Sequence, residues 1–251
     1  YKTEPDETMN NRSIRYPRGK TLGGSSSING LLWVRGQSDD YNIWRQLGNK
    51  GWGWDDVLPY FLKSENNELG KSEYHNDKGP ISVANKKINL KLLDVFQDAA
   101  EEFGIPKTND FNKGDNTGVG FFQFTTSFNN SGLKLRCSAA KGYLNPAKKR
   151  KNLKIEVKAH VKKINFEGKK VVSVSYFSGD NLKTVKVNKE VILSSGSIGS
   201  PQILQVSGIG DSDNLKKLGI RVVHELKGVG KNLQDHLMFR PVYKVKNLKS
   251  L

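Results

Sequence analysis

Residues Arg18 to Arg35, RGKTLGGSSSINGLLWVR, set a glycine pair, three serines and an asparagine directly ahead of an apolar run. Gly23 and Gly24 let the backbone take positive φ or come close to a ligand. Ser25 to Ser27 suit the cap of a helix whose inner face is Ile28, Leu31 and Leu32. Such a helix start binds anions, because unpaired N–H groups and the positive dipole end point outward together. The same residues also fit an ordinary glycine turn before a helix, and local chemistry alone does not choose between the two.

Two further glycine-rich stretches follow. Glu190 to Gly210, EVILSSGSIGSPQILQVSGIG, reads as a buried strand at Val191 to Leu193, a turn at Ser194 to Gly199, and a helix capped by Ser200, opened by Pro201 and stopped by Gly208. Strand, glycine turn and helix in that order is the grammar of a nucleotide-binding layer. Gly228 to His236, GVGKNLQDH, is a glycine loop with Asn232, Gln234, Asp235 and His236 bunched together. The four histidines have no metal-like spacing: His75 falls in a loop, His160 and His224 in expected strands, and His236 ends the glycine loop. Asp235 beside His236 suggests an acid-base pair, but neighbours in an extended chain point to opposite faces.

The elements that must position these stretches can be read from periodicity. Residues 1 to 17 read as a loop. Helices are expected over Asp39 to Leu47, Asp55 to Ser64 with Pro59 near its first turn, and around Leu92 to Phe103, where Leu92, Phe96, Ala99 and Ala100 share a face. Glu65 to Pro80 reads as an exposed loop, Ile81 to Val83 as a short strand, Phe122 to Thr126 as a strand with one apolar face, and Ser138 to Leu144 as a short helix. From Leu153 the period becomes two: Leu153 to Val157, Val172 to Tyr176, Val185 with Val187, and Val191 to Leu193, separated by Gly168 and by Gly179 to Asn181. That pattern predicts an antiparallel meander feeding a buried strand, and Ile220 to Leu226 a further strand.

The 251 residues are 35% hydrophobic, with 4 Trp and 11 Phe, enough for a globular core. The net charge of +16 raises nucleic acid or an anionic surface as a partner. The lysines are scattered, however, and the dense run Lys148 to Lys151 sits in a turn, so a solvated surface is the favoured reading. Cys137 is the one cysteine, which gives no disulfide framework and points to a reducing, cytoplasmic compartment. No apolar run is long enough for a transmembrane segment; membrane association remains an open alternative. The chain opens on Tyr1 and not on Met, as expected of a sequence that begins within a longer protein.

Five stretches, RGKTLGGSSSINGLLWVRG, GNKGWGWDDVLPYF, YHNDKGPISV, GSIGSPQILQVSGIG and GVGKNLQDH, occur in an order and spacing that resembles the glucose-methanol-choline oxidoreductases, in their choline dehydrogenase-like branch. The resemblance implies FAD as cofactor and oxidation of a small-molecule primary alcohol, possible substrates including choline-like ones, by hydride transfer to the flavin N5; the electron acceptor is unknown. It carries over Thr21, Gly23, Gly24, Ser25, Asn29 and Gly30 as cofactor contacts, with Val161 holding the adenine through its backbone and Ser194 to Gly196 passing near it. Some relatives bind the flavin covalently through a histidine just before the asparagine; Ile28 stands there, so the expectation is non-covalent FAD.

The implied fold class is α/β: an incomplete Rossmann-like FAD-binding domain interleaved with part of an antiparallel-sheet substrate domain. Residues 1–38 and 153–236 would form the FAD-binding part, 39–152 the cover and substrate segments, and 237–251 the start of a further substrate segment. The relatives' GxGxxG fingerprint with an acidic ribose ligand, and their catalytic histidine paired with a second histidine or an asparagine, have no counterpart in this sequence. The resemblance thus implies an internal segment without catalytic residues, inactive and poorly folded on its own. The alternatives are a basic nucleic-acid-binding module, and a same-fold oxidase or lyase.

Overall fold

The computed structural model describes residues 1–85, 90–128, 131–236 and 238–247. Their contacts form two compact units, Tyr1–Leu153 with Tyr243–Leu251, and Lys154–Val242.

In the first unit the N-terminal residues are not a plain loop. Lys2 bridges Arg15 and Asp6 bridges Arg12 across a 3-10 turn at Glu7–Met9, whose cap is the Asp6 carboxylate accepting from Thr8 N. The glycine-serine stretch forms a short 3-10 turn at Gly24–Ser27, not the α-helix that was expected. Leu31 takes a positive φ of 69°, which stops any helix, and Leu32–Trp33 leave as strand β1. The serine hydroxyls turn to nearby backbone in place of the helical ladder.

Helices α1 (Ser38–Gln46) and α2 (Trp54–Ser64) start where carboxylates reach back: Asp40 accepts from Gln37 N at 2.8 Å, and Asp56 from Gly53 N at 3.0 Å. They meet through Tyr41, whose ring lies 5.7 Å from those of Trp54 and Phe61. Strand β2 (Glu65–Asn67) then pairs in parallel with β3 (Ile81–Val83). Glu65 and Asn67 are buried on β2 and His75 is buried further on, so the exposed loop that the polarity of Glu65 to Pro80 suggested is confined to the rest of the segment, where Glu68, Leu69, Lys71 to Glu73, Asp77, Lys78 and Pro80 are exposed. Helix α3 (Lys91–Glu102) follows.

The expected single strand around Phe124 is two, β4 (Gln123–Phe124) and β5 (Thr126–Phe128), because Thr125 turns aside to bond Leu31 O and Cys137 N. Strand β4 pairs with β1 and β5 with β6 (Lys134–Arg136), both antiparallel. A π-helical turn at Ala140–Leu144 passes directly into α4 (Asn145–Ala147), so the helix does not stop at Asn145. Ile81, Val83 and Cys137 form the apolar core of this unit, with Trp33 packed against it.

The second unit holds the meander: β7 (Ala159–Glu167), β8 (Lys170–Ser178) and β9 (Asn181–Lys186), in that order and antiparallel throughout. Gly168 and Gly179 turn the hairpins at φ 58° and 61°. Leu153 to Val157 and Val191 to Leu193 form no strand, since no neighbouring strand among the described residues offers them a ladder. Helix α5 (Gly196–Val206) starts a turn earlier than expected, placing Pro201 inside it and Ser195 at its N-cap. Ser207 Oγ accepts from Ile164 N at 2.9 Å and ties the helix end to β7. The strand expected over Ile220 to Leu226 shrinks to β11 (His224–Glu225), parallel to β10 (Ile209–Gly210), with α6 (Ser212–Lys217) between them.

Candidate cofactor site and the polar core behind it

The glycine turn is held by its own side chains and by a second segment. Thr21 O accepts from Gly24 N at 2.9 Å, and Gly23 and Gly24 adopt φ of 88° and 54°. Ser25 Oγ accepts from Gly19 N at 3.2 Å, Ser27 Oγ donates to Leu22 O at 2.9 Å, and Ser26 Oγ accepts from Ala139 N at 2.9 Å while donating to Gly23 O. A turn this short carries little macrodipole, so the anion-binding helix start read from the sequence is replaced by a shaped backbone loop.

Thr21, Gly23, Gly24, Ser25, Asn29 and Gly30 therefore lie together on one turn. Thr21, Ser25, Asn29 and Gly30 are exposed and the two glycines half-buried. Whether these residues fit a large cofactor is tested by what a Cβ would meet at each glycine. At Gly19 it would collide with Gly24 O, and at Gly23 it would stand 2.5 Å from Ser27 Oγ and 3.1 Å from Ala140 Cβ. At Gly24 and Gly30 it would meet nothing within 4 Å. The turn is closed on the side of Gly19 and Gly23 and bare at Gly24 and Gly30, the form of a backbone that a flat ligand can approach.

Val161 belongs to the other unit. It is half-buried on β7, pairs with Tyr176, and precedes an irregularity of register at Lys162. Strand β7 is an edge of its sheet, so its backbone has one side unpaired by β8. Ile28, at the position of the covalent histidine of some relatives, has its side chain half exposed.

Sequence reasoning missed the polar core that anchors the strand leaving the turn. Arg35, five residues past Gly30, buries its guanidinium: Nη2 lies 2.8 Å from Glu65 Oε2, and Nη1 donates to Tyr74 O at 2.6 Å and Asn112 O at 3.2 Å. Glu65 also accepts from Trp33 Nε1 at 2.9 Å and Asn67 Nδ2 at 3.0 Å. Asn112 accepts from Arg35 N at 2.8 Å and donates to Trp33 O at 3.1 Å. Burial works against the charge on Glu65, but hydrogen bonds from His75 and Asn67 and the nearby guanidinium hold it below the usual carboxylate range. Burial pulls Arg35 below the usual guanidinium value, opposed by Glu65 and Asp110. The signals that were available are a lone Arg35 closing an apolar run, and Glu65 and Asn67 alternating at period two.

His75 is the histidine most changed by folding. Its Nδ1 lies 3.0 Å from Glu65 Oε2 and its Nε2 3.0 Å from Asp110 Oδ2. Burial disfavours the imidazolium, but the hydrogen bonds to Asp110 and Glu65 outweigh it and push the pKa up to about 9. With both nitrogens donating to carboxylates, His75 is an ionic strut and not a general base. His160 lies on β7 opposite Phe177, His224 on β11, and the exposed His236 donates its backbone N–H to Asp235 Oδ1 at 3.0 Å. Among the described residues no His, Cys, Asp and Glu cluster could hold a metal, and no helix is long and apolar enough to cross a membrane.

Residues 6–238 match the GMC oxidoreductase family, and the chain belongs to it. The whole chain is similar, at 45% identity over 253 residues, to the oxygen-dependent choline dehydrogenase of Pectobacterium carotovorum, of which it covers 44%. Over 237 residues, 94% of the chain, it is 44% identical to the mitochondrial choline dehydrogenase of Homo sapiens, of which it covers 39%. The chain thus spans less than half the length of these relatives. Among solved structures it resembles an FAD-dependent oxidoreductase from Chaetomium thermophilum, with a TM-score of 0.87 and 33% identity over 94% of the chain and 42% of that protein. A fungal aryl-alcohol oxidase matches with a TM-score of 0.85 and 28% identity, over the same shares. The family resemblance and the α/β fold class expected from the sequence are therefore correct, while the nucleic-acid alternative gains no support from these relatives.

Proposed function

We propose that the protein is an FAD-dependent oxidoreductase acting on the CH–OH group of a small primary alcohol, choline-like in chemistry, and that this chain supplies its glycine turn for the cofactor. The observation that carries the reading is the turn at Gly23 and Gly24, closed at Gly23 and bare at Gly24 and Gly30. It lies in a chain 45% identical to a choline dehydrogenase. When bound, FAD supplies a two-electron acceptor that takes the alcohol's hydride at N5.

The roles proposed for this chain's residues come from the family resemblance and are compatible with their geometry. Thr21, Gly23, Gly24, Ser25, Asn29 and Gly30 would hold the cofactor by backbone approach and short polar contacts, and Val161 would offer edge-strand backbone to the adenine. In this reading residues 1–38 and 153–236 serve the cofactor, and 39–152 and 237–251 cover it and contribute to the substrate side. The polar core around Arg35 and Glu65 fixes β1 and so the exit of the turn. Ile28 has no nucleophilic atom, so the flavin would be held non-covalently. No catalytic base is assigned to this chain: His75 holds its proton between two carboxylates.

The test is to purify the full-length protein that contains this chain and record flavin absorption, then denature it in acid. Flavin bands that leave with the supernatant, and bleach anaerobically on adding choline or another primary alcohol, support the reading. Absence of flavin, or no bleaching with any alcohol, contradicts it. Oxygen uptake against dye reduction with the same alcohol separates an oxidase from a dehydrogenase, and cytosolic against membrane fractions of cells test the cytoplasmic expectation.

A further inference from the structure

Arg136, the last residue of β6, lies 107 positions from Asn29 in sequence, yet its Nη1 donates to Asn29 Oδ1 at 2.6 Å and to Ser26 O at 3.1 Å. Asn29 Oδ1 also accepts from Leu31 N at 3.1 Å. A guanidinium and a backbone N–H only donate, so the two together fix which end of the carboxamide is oxygen. The end left over is the amide –NH2. Asn29 is exposed, and among the described residues its –NH2 has no protein partner. It stands beside Gly30, where the backbone is bare. Three residues after Arg136, Ala139 N holds Ser26 Oγ, which in turn holds Gly23 O.

We infer that Arg136 is a positioning residue for the cofactor turn: it orients Asn29 so that the carboxamide presents two N–H donors outward, selecting an acceptor oxygen of the cofactor. The inference rests on the FAD reading above. Arg is suited to the task because its planar nitrogen directs separate hydrogens to Ser26 O and Asn29 Oδ1, which a lysine ammonium on a flexible stem does less well. Without that contact the Asn29 oxygen is held inward by Leu31 N alone, and the turned carboxamide, with its oxygen toward a group that is itself an acceptor, gains population.

The experiment strips flavin from the purified full-length protein and titrates FAD back, following flavin fluorescence, the visible spectrum, the reduction potential and the melting temperature. Arg136→Met is expected to weaken FAD by roughly 10-fold or more, the loss of a charge-assisted hydrogen bond, and to shift the visible bands. Arg136→Lys is expected to recover part of the loss. Asn29→Asp keeps an acceptor for Arg136 but removes the outward donors, so it is expected to lose FAD affinity while the melting temperature of the flavin-free protein stays that of wild type. FAD affinity, spectrum and potential like wild type in Arg136→Met, or in Asn29→Asp, would overturn the inference. A wild-type protein that takes up no FAD instead overturns the functional reading beneath it.

Discussion

Arg35 and Glu65 form an ion pair almost sealed from solvent: Nη2 lies 2.8 Å from Oε2, and the side chains are 2% and 0% exposed. They join the strand that leaves the glycine turn to the strand that leaves α2. Glu65→Gln preserves shape but leaves the guanidinium uncompensated, and is expected to cost about 3–5 kcal/mol in chemical denaturation. The double variant with Arg35→Met is expected to lose less than the two single losses together. A Glu65→Gln protein within about 1 kcal/mol of wild type would remove the pair from the list of stabilising contacts.

His75 makes stability depend on pH in the alkaline range. Its folded pKa of about 9 lies above its ordinary value of 6.5, so its contribution is complete below 6.5 and is lost as pH rises through 9. Asp110 is pulled the other way, with burial opposed by the hydrogen bond from His75 and that from Asn112 N, so its contribution fades as pH falls below the carboxylate range. His75→Gln should flatten the decline between pH 6.5 and 9, by up to about 3 kcal/mol in unfolding free energy. An unchanged pH profile in that variant would show that His75 is not charged in the fold.

Gly23 and Gly24 should separate under substitution by alanine. Gly23→Ala brings a Cβ against Ser27 Oγ and Ala140 and is expected to lower both stability and flavin content. Gly24→Ala has room but a positive φ, so about 1–2 kcal/mol of backbone strain is expected. Its methyl then stands on the bare side, and flavin affinity should fall further than the melting temperature suggests. Equal flavin content in wild type and Gly24→Ala would place the cofactor elsewhere.

Asn112 serves Arg35 N, Trp33 O and Gln123 Oε1 from a fully buried position. Asn112→Ala leaves a buried donor and acceptor without partners, and a loss of about 2 kcal/mol or more is expected by denaturant titration. Thermal denaturation of the same variant should show whether flavin binding recovers part of it.

Much of the architecture could be read from local chemistry. Helices α1, α2 and α3 announce themselves by apolar spacing and by acidic residues near their first turns, and the hairpins of the meander by Gly168 and Gly179. The stretch around Gly23 and Gly24 was readable as a glycine-rich turn, but its form was not, because Leu31 at positive φ and the bonds of Ser25 to Ser27 override helical propensity. The polar core was hidden for a different reason. Glu65, Asn67, His75 and Asn112 look like surface residues wherever each is judged alone. Their partners stand far off in sequence, as with Arg35 N and Asn112 Oδ1 at a separation of 77. The run at Val191 to Leu193 failed in the opposite way: β-branched residues favour a strand, but a ladder also needs a neighbour.

The contact between Arg136 and Asn29 also sets an order of events during synthesis. Asn29 is translated 107 residues before the side chain that orients it. At roughly 5–20 residues per second, the glycine turn waits on the order of 5–20 s before its clamp exists. Through that interval the turn has only its own serines to shape it. Cofactor capture by a nascent chain is therefore expected to begin only once β6 and the residues up to Ala139 have cleared the ribosome.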